Sequence, residues 1–224
     1  MSQRMHISDY FDGVYLGTDR YWWRGPERYE VDPESYPLSL LTQQLLRLLK
    51  HRTVGRALDI GAGEGSDSIR LAKLGYEVDA VEMSAVGAKK IQCFAEAAGV
   101  HDKVRVFAAD VQDFVPDGLY DVVICNGVLH YIEGKKSVIE LMQQATRPDG
   151  INVISLWSDY TPVPDCHELV PVFSDPEDGE VTKSYENWHK EFIYFERDKK
   201  ESAHSDLPAH RHSHIKLIAS KPSS

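Results

Sequence analysis

Short apolar runs alternate along this chain with longer stretches whose apolar residues recur every three or four positions. Ala57, Leu58 and Ile60 form one such run, broken only by Asp59. A run without regular polar alternation suits a strand buried on both faces of a parallel sheet. Similar runs at 77–81, 104–107, 120–124 and 151–156 predict four more strands. Between them, Ile69, Leu71, Ala72 and Leu74 lie at helical spacing ahead of Gly75, and Ala88, Ile91, Phe94, Ala95 and Ala98 ahead of Gly99. Ser84 is placed to cap the second of these helices, and glycine suits the end of each. Val138, Leu141, Met142 and Ala145 predict a helix over 137–147, and Leu38, Leu41, Leu45 and Leu48 one that starts at Pro37. Strand and helix in regular alternation predict a doubly wound α/β domain.

Both ends of the chain depart from this rhythm. The first 36 residues hold Tyr10, Phe11, Tyr15, Tyr21, Trp22, Trp23, Tyr29 and Tyr36, too many aromatics for a disordered tail, so the segment is expected to pack on the body. Gly13, Gly17, Gly25, Pro26, Pro33 and Pro37 are expected to break it into short pieces. Residues 158–190 carry Pro162, Pro164, Pro171 and Pro176 with few periodic apolar positions, and read as an insertion on the substrate side. Residues 191–195 and 215–219 read as closing antiparallel strands, joined by a polar loop with His204, His210, His212 and His214. The expected division is an N-terminal segment and helix over 1–50, followed by a core over 51–224.

Composition narrows the partners. A length of 224 residues with 42% hydrophobic and 27% charged residues fits one soluble α/β domain with a small cap. The net charge of −10 argues against a nucleic-acid backbone as the main partner. No apolar run reaches the ~20 residues of a membrane span, and the first ten residues lack the apolar core of a signal peptide. Cys93, Cys125 and Cys166 are odd in number and scattered, as in reduced thiols of a cytoplasmic protein, with Cys93 packed inside its helix.

The chemistry concentrates in residues 56–65, R-A-L-D-I-G-A-G-E-G. Gly61, Gly63 and Gly65 let the backbone turn sharply after a strand and approach a ligand closely. A dinucleotide site uses G-x-G-x-x-G and meets a pyrophosphate with free N–H groups. Here Asp59 precedes the first glycine and Glu64 sits inside the turn. Negative charge there repels a diphosphate and attracts a cation, such as an amino group or a sulfonium. Glu82 lies 17 residues beyond Gly65, where such folds place a carboxylate on ribose hydroxyls.

Asp59, Gly61, Gly63 and Gly65 fill the D/E-x-G-x-G-x-G motif, and at this point the chain resembles the class I S-adenosylmethionine-dependent methyltransferases. The likeness runs over 56–156: Glu82 ends the second strand, Asp110-Val111 follows the third, Asp121 opens the fourth, and Arg147-Pro148-Asp149-Gly150 resembles the turn before the fifth. The resemblance implies a Rossmann-like, mostly parallel seven-stranded sheet with an antiparallel closing strand, and an N-terminal helical lid over the cleft. It implies S-adenosyl-L-methionine as cofactor, held by Asp59, the three glycines, Glu82 and Met83, with Asp110 and Val111 at the adenine. Asn126 then meets the methionine amino group, and Tyr21 reaches in from the lid, with Trp22 and Arg24 as further candidates. Pairing of a lid with a polar His/Arg loop is loosely similar to the tellurite-resistance branch of small methyltransferases. The implied reaction is transfer of a methyl group to an oxygen, nitrogen, sulfur or chalcogen of a small molecule, by a monomer or homodimer, with neither nucleic acid nor membrane as partner. A non-catalytic S-adenosylmethionine-binding protein and an NAD-binding oxidoreductase are the alternatives.

His130 follows the fourth strand at the cleft mouth and is the catalytic candidate, as a base that takes the acceptor's proton, with a helix-start histidine hydrogen-bonded to backbone as the alternative. Asp159, Tyr160 and His167 are weaker candidates. In an extended segment, residues two apart share a face, so His210, His212 and His214 can present three imidazoles together. Three readings stay open for them: a divalent ion, a polar rim for the substrate, or a solvated loop.

Overall fold

The computed structural model describes residues 2–20, 29–34, 38–162, 164, 179–203 and 208–223, with backbone only for 2–6. The apolar runs form β1 (Arg56–Ile60), β2 (Glu77–Glu82), β3 (Val104–Ala108), β4 (Tyr120–Asn126) and β5 (Thr146–Ser158). With β6 (His189–Glu201) and β7 (His210–Ser220) they make one seven-stranded sheet in the order β3-β2-β1-β4-β5-β7-β6. β1 to β5 pair in parallel, and β7 runs antiparallel to both its neighbours. The Rossmann-like fold with its antiparallel closing strand is therefore present.

Buried strands explain the uniform apolar runs. Ala57 and Leu58, Val122 and Val123, Val153 and Ile154 each send neighbouring side chains into two different core clusters, one on each face. Alternation in a strand then demands apolar residues at both parities. α2 (Leu40–Leu49) and α3 (Ser66–Lys73) cover one face, while α5 (Lys135–Ala145) covers the other. α4 (Ala85–Ala97) packs along β2 and β3.

Several local expectations change. α2 begins after Ser39, not at Pro37, because the Ser39 side chain accepts a hydrogen bond from the Thr42 N–H at 3.1 Å. Its buried stripe is accordingly Leu41, Leu45, Leu46 and Leu49. The aromatic N-terminus is not cut at Gly13, since α1 (Ser2–Leu16) runs through it as one helix. Cys93 is exposed, not packed, and Cys125 is buried; Cys166 lies outside the described residues. The stretch read as an insertion contributes a core piece: α6 (Glu180–Ser184) buries Val181, and the adjoining Tyr185 donates from its hydroxyl to Asn152 Oδ1 at 2.7 Å. Asp149 adopts φ +61°, a left-handed conformation that Asp tolerates better than most residues, which explains how it stands in a glycine's place in that turn.

At the amino end of the sheet, buried Asp79 and half-buried Asp121 are both engaged by arginines. Asp79 accepts from Arg105 Nε and Nη2 at 2.9 Å each, from Tyr120 Oη at 2.7 Å and from Arg56 Nη2 at 3.1 Å. Asp121, expected to open the fourth strand, does so there; it accepts from the Arg56 N–H at 2.7 Å and pairs with Arg147. Its place is a brace far from the carboxyl end.

Candidate functional site

The strand order reverses between β1 and β4, because the chain winds outward through β2 and β3 and then returns beside β1. A crevice opens at the carboxyl ends of strands at such a switch point, and it is where this architecture binds ligands. The turn out of β1 fills one wall. Gly61, Gly63 and Gly65 take φ values of +64°, +60° and +84°. A Cβ on Gly61 would also stand 2.3 Å from Val128 Cγ2, so the β4 exit packs directly on this backbone. Gly65 has no side chain with which to cap α3, and the Ser68 N–H in the first turn of that helix donates to the Asp59 carboxylate.

Two carboxylates flank this turn. Asp59 is 3% exposed and accepts from Ser68 Oγ at 2.6 Å; burial, with the charge of Asp67 nearby, pushes its carboxyl up to about 7. Glu82 is pushed up to about 7 by burial, even though its oxygens accept from the Gly63 N–H at 2.7 Å and the Ser84 N–H at 2.8 Å. The Met83 N–H is a third backbone donor to Glu82. Glu64 differs from expectation. It is buried and paired with Lys90 Nζ at 2.8 Å, so a cation of the chain itself balances its charge.

The remaining expected residues divide between the two walls. Met83, half-buried, accepts at its carbonyl from Ser8 Oγ of α1 at 3.3 Å. Asp110 accepts from the Gln112 N–H at 2.8 Å, and Val111 packs into the core at 7% exposure. Asn126 ends β4; its amide donates to Asp67 Oδ2 at 3.0 Å and its oxygen accepts from Ser155 Oγ at 2.6 Å. Tyr21, Trp22, Arg24 and His167 lie outside the described residues. What the sequence did not signal is how α1 docks. Asp12 accepts from Ser84 Oγ and, at 3.2 Å, from the Val86 N–H, while neighbouring Phe11 meets Tyr131 edge-on at 5.3 Å. The helix thus touches the exits of both β2 and β4.

His130 is 3% exposed, in a turn of 3-10 helix over Leu129–Tyr131. Its ring stacks on Trp157 with centroids 4.7 Å apart, and its Nδ1 accepts from the Trp157 backbone N–H at 3.3 Å. β4 has ended by this point, so the imidazole takes the place of a strand partner for β5. A histidine bonded to backbone is the second of the two roles expected for His130, and this bond occupies Nδ1 as an acceptor. The histidines share a face, as an extended segment requires, but the loop expected around them is a strand. His210, His212 and His214 lie on one face of β7, with ring centroids 5.1 Å and 4.4 Å apart. His204 lies outside the described residues.

A family model described as a methyltransferase domain matches residues 34–218. The chain belongs to that family. Its sequence resemblance to class I S-adenosylmethionine-dependent methyltransferases is thereby accounted for. Among curated relatives, a tRNA 5-carboxymethoxyuridine methyltransferase of Escherichia coli K12 is 30% identical over 98 residues, 43% of this chain and 38% of that protein. A ubiquinone biosynthesis O-methyltransferase of Rickettsia felis is 31% identical over 136 residues, 60% of this chain and 55% of that protein. The matched region of this methyltransferase-family chain therefore spans about half or less of each of those relatives. Among solved structures, the N-methyltransferase NodS of Bradyrhizobium japonicum, in complex with S-adenosyl-L-homocysteine, shares the fold with a TM-score of 0.65 at 16% identity, covering 97% of this chain and 100% of that one. No helix among the described residues is long and apolar enough to cross a membrane.

Proposed function

We propose that this chain binds S-adenosyl-L-methionine in the crevice between β1 and β4 and transfers its methyl group to a small-molecule oxygen, nitrogen, sulfur or chalcogen. The observation that carries this reading is the pair Asp59 and Glu82, two buried acids raised to about 7 beside a glycine turn. Acids so placed welcome a cation and hydroxyl donors and oppose a diphosphate, which disfavours the nicotinamide alternative. S-adenosylmethionine supplies, when bound, a methyl carbon activated by positively charged sulfur, together with an ammonium, a carboxylate and a ribose diol. In this proposal Asp59 and the Asn126 carbonyl face the ammonium, the N-terminus of α3 the carboxylate, and Glu82 the diol. Met83, Asp110 and Val111 border the adenine. α1 acts as the lid, since Asp12 and Phe11 bridge both walls.

The chain's contribution to the reaction is alignment and exclusion of water, which in-line displacement chiefly requires. His130 holds Trp157 in place and acts as a positioning residue. The net charge of −10 favours a small acceptor over RNA. Calorimetry with S-adenosylmethionine, S-adenosylhomocysteine and NAD tests the cofactor: binding of the first two and not the third is expected. A hydrolysis-coupled assay over phenols, thiols, amines and metalloid anions, with an RNA arm, tests the acceptor. Turnover of RNA alone would overturn the small-molecule reading, and binding without turnover of any acceptor would favour a non-catalytic protein.

A further inference from the structure

Beyond the cofactor crevice, the antiparallel edge of the sheet gathers a second set of functional groups. In the pairing of β6 with β7, Glu201 stands opposite His210 and Lys199 opposite His212. Strand periodicity puts His210 and His212 on one face, and the Glu201 side chain reaches that face across the pair. Its Oε2 lies 3.1 Å from His212 Nε2 and 3.9 Å from His210 Nε2, and one ligand atom from each of the three residues falls within 4.8 Å of the others. The two imidazoles are almost fully enclosed, with side-chain exposures of 4% and 3%.

We propose that Glu201, His210 and His212 form a binding site for one divalent transition-metal ion of the zinc class. Ligand atoms on a tetrahedral ion at ~2.1 Å stand about 3.4 Å apart. The Glu201–His212 separation already fits that figure, and side-chain rotation closes the wider gap to His210. Two imidazoles and one carboxylate select a borderline ion such as Zn²⁺ or Co²⁺ over Mg²⁺ or Ca²⁺, which favour all-oxygen shells. The charges nearby permit it. Lys199 Nζ holds the other oxygen of Glu201, Oε1, at 3.2 Å and leaves Oε2 directed at the imidazoles. His214 turns instead to Glu196, with its Nδ1 3.4 Å from Oε2, and Lys216 balances Glu196 at 2.9 Å. Arg211, on the opposite face of β7, pairs with Asp198.

Three protein ligands leave room for a fourth. A cavity of about 630 Å³, lined in part by Thr161, Pro162, Glu201, His210 and Arg211, opens beside the cluster and can supply water or a small anionic ligand. The edge of Trp157 meets His212 at 4.5 Å, so one indole separates this site from His130. Binding of the ion does not depend on methyl transfer.

The test is metal binding by the full-length chain after removal of adventitious ions with chelator. Titration with Zn²⁺ against a chromophoric competitor should give one site per chain, and Co²⁺ should give a visible absorption band that Zn²⁺ abolishes. Glu201→Gln and His212→Ala should each weaken Zn²⁺ roughly tenfold or more, while His189→Ala, at the far end of β6, should leave it unchanged. Zinc should raise the melting temperature of the native chain and not that of Glu201→Gln, a near-isosteric change that covers the case in which His212→Ala does not fold. Absence of stoichiometric binding at tens of micromolar zinc, on the order of the weakest affinity a three-ligand site should show, would overturn the proposal. So would undiminished affinity in Glu201→Gln, or displacement of zinc by an equal concentration of Mg²⁺.

Discussion

Asp79 and Glu82 stand three residues apart on β2, and each is 5% exposed. They nonetheless titrate in opposite directions. Burial alone would raise Asp79, but hydrogen bonds from Arg105 and Tyr120, and the charges of Arg105 and Arg56, hold it below the usual carboxylate range. Glu82 meets only backbone N–H groups, and burial pushes it up to about 7, as it does Asp59 on β1. The amino end of the sheet therefore completes its electrostatics within the fold. Among the described residues no cation faces the two acids at the carboxyl end, an arrangement common where a ligand supplies charge. The difference between the ends is what the proposed split between stabilising and binding residues rests on.

The largest effect should come from the amino end. Asp79→Asn removes a hydrogen-bonded charge from two arginines and a buried phenol, and should cost about 2–3 kcal/mol in urea denaturation. Affinity for S-adenosylmethionine should stay within about twofold, a change of under ~0.5 kcal/mol. At the carboxyl end the pattern should invert. Asp59→Asn should weaken S-adenosylmethionine by about 10–100-fold, or roughly 1.4–2.8 kcal/mol, in calorimetry. The cofactor-free protein should melt no lower than the native chain at about pH 8, because the change removes a buried charge. If Asp59→Asn destabilises like Asp79→Asn and spares binding, the two ends do not differ in the way described.

A milder probe is pH. Asp59 and Glu82 hold protons up to about 7 in the folded chain, against ordinary values of 3.8 and 4.5. The folded protein thus retains protons that the unfolded chain has released, and the stability so gained is full below about pH 4 and lost as pH rises through about 7. A cationic ligand favours the ionised acids. Affinity for S-adenosylmethionine should therefore rise from about pH 6 to about pH 8 and binding should expel protons, seen as a buffer-dependent enthalpy. A flat affinity over that range, with no buffer dependence, would mean that neither acid meets the cofactor's charge or its diol.

Much of the parallel half was legible because its strands are buried on both faces, so that each becomes an apolar run punctuated by a glycine bend. Asp59 and the three glycines declare themselves in the same way, since the turn requires positive φ and close contact with Val128. The antiparallel edge was less legible. His210 to Ser213 form a strand with polar residues on its enclosed face, a pattern that sequence periodicity assigns to a loop. α1 was hidden for another reason. Gly13 lowers its intrinsic helix propensity by ~1 kcal/mol, and what holds the helix is long-range: Ser8 on Met83, Asp12 on Val86, Tyr15 buried near Gly87. Val181 and Tyr185 were masked by the proline-rich, acidic stretch before them, although both enter the main core. Local pattern reveals what local backbone demands, and these features are set by partners 30 or more residues away.

The smallest expected effect lies where the two halves meet. His130 serves the Trp157 N–H as a strand would, and its ring stacks on an indole that also touches His212. A residue that acts through position should tolerate a side chain that keeps the acceptor. His130→Gln should retain turnover within about threefold, under ~0.7 kcal/mol of barrier, whereas His130→Ala should lose about tenfold, near ~1.4 kcal/mol. Cofactor affinity should change little in either. The shape of the pH–rate profile should also persist in His130→Gln, as expected of a positioning residue. Loss of an acidic limb in that variant, with activity as low as in His130→Ala, would show instead that the imidazole takes the acceptor's proton, and that the Trp157 bond breaks during the reaction to free it.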